Sequence, residues 1–163
     1  MKRDCGFTLI ELVVTIAIVA ILASAAMPLL QVSVQRNKEM ELRTHLRQLR
    51  DAIDAYKKAY DEGRIELKTE GKSGYPPNLT VLVEGIPDKK DPNNKQKLKF
   101  LRRIPIDPML SNNISNDSQD ASAAWGLRSY DSDAAHPTSG EDVYDVYSLS
   151  PLTGTNGIPY AQW

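Results

Sequence analysis

The chain has 163 residues, with 20 lysines and arginines against 21 acids, a net charge of −1 and a pI near 6.1. That balance excludes the strongly basic footprint of a nucleic-acid-binding protein, and an apolar content of 41% supplies a packed core rather than intrinsic disorder. A single cysteine, Cys5, excludes an intrachain disulfide framework.

The first predicted element is a long helix. Lys2-Arg3-Asp4-Cys5-Gly6 is short and carries two bases; from Phe7 to Leu30 only Thr8, Glu11, Thr15, Ser24 and Pro28 interrupt an apolar run. At 1.5 Å per residue this run spans roughly 36 Å, enough to cross a hydrocarbon core. Glu11 is the exception that needs a reason, because a charge in hydrocarbon costs on the order of 3 kcal/mol and marks a functional site by default. An ordinary secretory signal, with Ala23-Ser24-Ala25 as its cleavage site, would avoid such a glutamate. A lipoprotein signal needs its cysteine after the apolar run, whereas Cys5 precedes it.

Beyond Pro28, where lost helical bonding predicts a kink or local melting, the pattern changes. Leu42, Leu46, Leu49, Ile53, Tyr56 and Tyr60 recur at spacings of four and three, a narrow apolar stripe on an otherwise charged helix. That stripe is expected to bury against a head, with Gly63 as the helix stop. The expected organisation is a short basic segment over 1–6, an apolar helix long enough to cross a membrane over 7–30, an amphipathic helix over 31–62 and a globular head over 63–163. Within the head, Gly74-Tyr75-Pro76-Pro77-Asn78 reads as a turn, and Leu79, Leu82 and Val83 as a short helix ending near Gly85. Ser111 to Ala124 reads as a flexible insertion. Gly126 to Tyr130 and Asp142 to Leu149 read as strands, from their β-branched and aromatic content.

The segment Gly6-Phe7-Thr8-Leu9-Ile10-Glu11 followed by a long apolar helix resembles the type III signal of type IV pilins and pseudopilins. The tyrosine-proline turn, Ile104-Pro105-Ile106-Asp107-Pro108, the Trp125-Gly126 pair, the strand from Val143 to Leu149 and Trp163 together resemble the major pseudopilin of type II secretion systems. The resemblance implies an α+β, type IV pilin-like fold: a long N-terminal helix packed on a small antiparallel β-sheet head with long loops. It implies cleavage between Gly6 and Phe7 by a prepilin peptidase that also methylates the Phe7 amine. Glu11 would then face the charged N-terminus of a neighbouring subunit, so that Phe7, Glu11 and Pro28 belong to assembly. Opposite charges in low dielectric make Glu11 a register key.

The resemblance further implies a single-pass protein of the bacterial inner membrane with its head in the periplasm, held in lipid before assembly into a periplasmic filament. Its partners would be other copies of itself, minor pseudopilins and an inner-membrane assembly platform, with no nucleic acid among them. An adhesive or motility pilin, or a minor pseudopilin, is the alternative. No nucleophile elbow, phosphate loop or zinc-ligand spacing points to an enzyme. Major pseudopilins commonly hold calcium in the loop after the last strand, yet Ser150 to Trp163 contains no carboxylate. Calcium prefers six to eight oxygens, carboxylates among them, so no cofactor is assigned and the usual site is not carried over. Asp131, Asp133 and Asp142 remain the candidates for a relocated site, against their reading as solvated loop charges. Without the ion, Tyr160 and Trp163 are expected to pin the tail by apolar burial.

Overall fold

The computed structural model describes residues 8–65, 73–91, 96–110 and 118–163, with the backbone alone at 25–29 and 118–120. The chain divides by contact into two units, Met1–Asn37 and Lys38–Trp163. The leader and the Gly6-Phe7 junction lie outside the described residues.

Helix α1 (Leu9–Asp61) opens on a cap that the sequence encodes. Thr8 precedes the first turn, and its hydroxyl accepts the Glu11 backbone N–H at 3.3 Å. Thr-x-x-Glu is the capping-box spacing, and an acid in the first turn also suits the helix dipole. The expected melting at Pro28 is not found, because the backbone stays helical through it. A proline removes one backbone donor, but its fixed φ is helical and the turns on either side keep their own bonds.

In the second unit the stripe is buried as expected: Leu42, Leu46, Leu49, Ile53 and Tyr56 are each at most 2% exposed. The helix stops where glycine allows it. Gly63 takes φ 69°, its N–H reaches the Tyr60 carbonyl, and Arg64 N–H reaches that of Ala59, closing the last carbonyls in a Schellman-type turn. Helix α2 (Thr80–Glu84) follows, entered through the Asn78 side chain, which accepts the Val81 N–H at 3.0 Å. Strands β1 (Ile86–Pro87) and β2 (Lys97–Leu98) form a two-residue antiparallel ladder that hydropathy does not announce.

Helix α3 (Ser118–Ala123) occupies part of the stretch expected to be a flexible insertion. Its Ala121, and Ala124 just after it, are buried, so small side chains let this polar segment approach the core. Strands β3 (Trp125–Arg128) and β4 (Asp145–Ser148) pair antiparallel with Trp125 opposite Ser148 and Arg128 opposite Asp145. Both are shorter than expected. The ladder ends at Arg128 and Asp145, and beyond it Ser129 N–H goes to the Thr138 carbonyl and Val143 N–H to the Pro76 carbonyl. Gly126 is fixed by register: it faces Tyr147, whose ring would lie 2.2 Å from an added Cβ.

The head is fastened at one short run. Pro105 carbonyl accepts the indole N–H of the buried Trp125 at 2.8 Å, and Ile106 carbonyl lies 2.9 Å from His45 Nδ1 on α1. Asp107, fully buried, accepts Ser148 Oγ at 2.5 Å and Met109 N–H at 2.8 Å. Three elements thus converge on residues 105–107. The tyrosine-proline turn docks similarly, since Val143 N–H reaches the Pro76 carbonyl at 2.8 Å and Tyr75 meets Tyr144 edge-on at 5.0 Å.

Candidate functional site

The assembly segment is built from what α1 exposes in the first unit. Leu9, Ile10, Leu12, Val13, Ile16, Ile18, Val19, Ile21 and Leu22 are all between 52% and 81% exposed. Consecutive residues point to different faces of a helix, so this surface is apolar on every side and not along one stripe. The polar side chains within it turn inward on their own backbone: Thr15 Oγ1 and Ser24 Oγ each donate to the carbonyl three residues back at 2.8 Å. Glu11 is exposed among these residues. Among the described residues no helix is long and apolar enough to cross a membrane, and the expected span of 7–30 includes Phe7 and the side chains of 25–29, which lie outside them. Pro28 is described by backbone alone, and Gly6 and Phe7 not at all.

Of the acidic residues proposed for a relocated metal site, Asp131 and Asp142 line one cleft and Asp133 lies apart. Asp142 sits in a cradle of donors: Ser129 Oγ at 2.6 Å, Tyr130 N–H at 2.9 Å and the Ser73 hydroxyl. Burial pushes its pKa up, but the hydrogen bonds from Ser129, Ser73 and Tyr130 together outweigh it and hold the carboxyl below its ordinary range. Asp131 lines the same open cleft of about 620 Å³, with Tyr75, Tyr130 and Glu141. Asp133 instead accepts the Ala135 N–H at 3.3 Å in its own turn. Among the described residues no group of three or more His, Cys, Asp or Glu is placed to hold a metal ion.

The tail departs from the expected apolar anchoring. Tyr160 is the buried member, 1% exposed, whereas Trp163 is only partly covered. Trp163 lies edge-on to Tyr160 at 5.0 Å with the Arg43 guanidinium 4.3 Å from its ring centre. Tyr160 also has a polar role, since its hydroxyl donates to Glu39 Oε1 at 2.9 Å. Glu39 is 6% exposed and accepts two more bonds from the tail, from Thr155 N–H at 2.7 Å and Thr155 Oγ1 at 2.6 Å. Arg50, further along α1, donates to Asp145 Oδ1 at 2.7 Å and to the Val146 and Trp163 carbonyls at 3.1 and 2.8 Å. Sequence reasoning missed both residues because a Glu and an Arg on a charged helix read as solvent contacts. Glu39 lies one turn before Leu42 on the stripe's own spacing, which is the signal that could have found it.

Comparison with known proteins bears on these features. The family described as the prokaryotic N-terminal methylation motif matches residues 1–27. The type II secretion system core protein G of Klebsiella pneumoniae is 31% identical over 108 residues, covering 66% of this chain and 71% of the relative. The proteins of the same name from Vibrio cholerae and Aeromonas hydrophila are 30% and 29% identical, covering 67% and 68% of their own lengths. No solved structure matches the chain.

Proposed function

The chain belongs to the type II secretion system core protein G family, and from that premise we propose that it is the major pseudopilin of such a system, the repeating subunit of a periplasmic filament that drives protein export. The observation that carries this reading is the exposure of apolar side chains all round the first turns of α1. At about 25 cal/mol per Å² such a surface is strongly favoured to leave water, and a surface apolar on every face is covered by lipid or by like helices rather than by one groove.

In this reading the prepilin peptidase cuts between Gly6 and Phe7 and methylates Phe7, and the helix rests in the inner membrane until the assembly platform and minor pseudopilins take it into the filament. Glu11 then pairs with the Phe7 amine of a neighbouring copy. Lipid solvates the apolar surface but not the carboxylate, while the packed filament solvates both, so Glu11 biases the subunit toward assembly. The role is structural, and polymerisation is its chemistry.

N-terminal mass spectrometry of the native protein is expected to give N-methylated Phe7 as the first residue. A chain beginning at Ala26 would instead establish an ordinary secretory signal and end the filament reading. Glu11→Ala is expected to insert normally yet lose filaments and export, since breaking a buried charge pair costs about 3–5 kcal/mol. Normal filaments from that variant would remove the register role.

A further inference from the structure

The polar groups of the tail converge as donors, which is the reverse of what a cation requires. Thr155 N–H, Thr155 Oγ1 and Tyr160 hydroxyl all point hydrogens at the two oxygens of Glu39. Three acceptor oxygens of the loop, which contains no carboxylate between Ser150 and Trp163, are already engaged within it. Gly154 carbonyl takes the Gly157 N–H at 2.9 Å, Ile158 carbonyl takes the Gly154 N–H at 2.9 Å and the Trp163 indole at 3.3 Å, and Asn156 Oδ1 takes the Ile158 N–H at 3.1 Å. Three of the tail's donors thus turn on the helix, while these acceptors are engaged within the loop. It does not fit a calcium ion.

We propose that Glu39 does in this chain the work of an ion: a carboxylate built into α1 gathers the tail, so that the loop after the last strand closes without a divalent cation. Three features support this. Glu39 is almost wholly buried, and a buried charge persists where several donors hold it. The donors come from two points of the tail, Thr155 and Tyr160, so one side chain fixes both the turn and its return. Arg50 supplies the complementary clamp about three turns along the same helix, holding Val146 and Trp163 by their carbonyls. An anion and a cation on one helix thereby hold the tail, Glu39 at Thr155 and Tyr160 and Arg50 at Trp163. This goes beyond the filament role, because the latch would act in a lone subunit.

The test is thermal unfolding and limited proteolysis of the full-length protein in detergent, with about 1 mM calcium chloride or with chelator, a concentration that would stabilise measurably any site whose dissociation constant lies well below millimolar. The unsubstituted protein is expected to melt at the same temperature in both. Glu39→Gln, which leaves a single acceptor oxygen, is expected to melt about 5 °C lower and to be cut within residues 152–158, with no recovery on adding calcium. Tyr160→Phe and Thr155→Val each remove one donor and are expected to open the same tail to protease to a smaller degree. A calcium-dependent rise of several degrees in the unsubstituted protein would overturn the proposal. So would a Glu39→Gln tail as resistant as the original. Should Glu39→Gln fail to fold, the two donor variants decide: tail cleavage in both supports the latch, and original resistance in both refutes it. Because the readout is subunit stability, it is independent of whether filaments form.

Discussion

Helix α1 obeys two different rules along its length. Up to Leu22 its apolar residues cover every face and are exposed, whereas from Leu42 to Tyr56 they occupy one stripe and are almost entirely buried. The first arrangement leaves its apolar side chains exposed; the second is covered by the head. An amphipathic stripe needs one partner surface, while an apolar cylinder needs an environment. The same secondary structure therefore encodes self-sufficiency in one region and dependence in the other.

The comparison breaks most sharply under paired truncations. Leu49→Ala should destabilise the head by about 2–5 kcal/mol, through lost burial and the cavity left behind, while Ile18→Ala should change it by less than about 0.5 kcal/mol. Chemical denaturation of the two full-length variants in detergent measures this, and a comparable loss from Ile18→Ala would show that the first turns of α1 serve the subunit's own stability. Asp107→Ala comes next. It strands the Ser148 hydroxyl and the Met109 N–H in the core, at about 1–3 kcal/mol, and Asp107→Asn should recover part of that by restoring an acceptor. If Asp107→Ala proved neutral in the same titration, the run at 104–108 would be a spacer and not a hub.

The smallest effect is pH dependence. Asp142 and Asp88 are both held below the ordinary carboxylate range, Asp142 by Ser129, Ser73 and Tyr130 against its burial, and Asp88 chiefly by the Arg64 guanidinium with the Lys90 N–H. A carboxyl with a lowered native pKa adds stability that is complete above its ordinary value of about 4 and is lost as pH falls through the lowered one. Head stability should accordingly be flat from about pH 7 to 5 and fall below about pH 4, with Asp142→Asn showing a shallower acid limb by under about 1 kcal/mol. An acid limb unchanged in Asp142→Asn would mean that its donors serve another purpose. All of this should leave the apolar turns before Leu22 unaffected, which sharpens the contrast.

What the sequence made legible was periodic or punctuated. Leu42, Leu46, Leu49 and Ile53 announce a helix face by spacing alone, and Gly63 and Gly85 mark helix ends because both sit at positive φ. Glu11 was conspicuous because a charge among Leu9, Ile10, Leu12 and Val13 breaks the pattern. The rest depended on pairings that no local window contains. Glu39 and Thr155 are 116 residues apart, and Arg50 and Trp163 are 113 apart. Helix α3 hid in a segment whose polar composition masks two buried alanines. The run from Ile104 to Pro108 hid its contacts because two of its three ties are made by backbone carbonyls, whose use leaves no mark on residue type.

Those three ties also govern the order in which the chain can fold. His45, Trp125 and Ser148 lie 61, 20 and 41 residues from the carbonyls and carboxylate they bond. Closing such loops costs entropy before any bond rewards it, and the cost is shared only when all three elements are present together. Until Ser148 is available, the buried side of α1 and the ring of Trp125 have no completed surface to pack against. A chain made from its N-terminus therefore lacks the last of these ties until residue 148 is present.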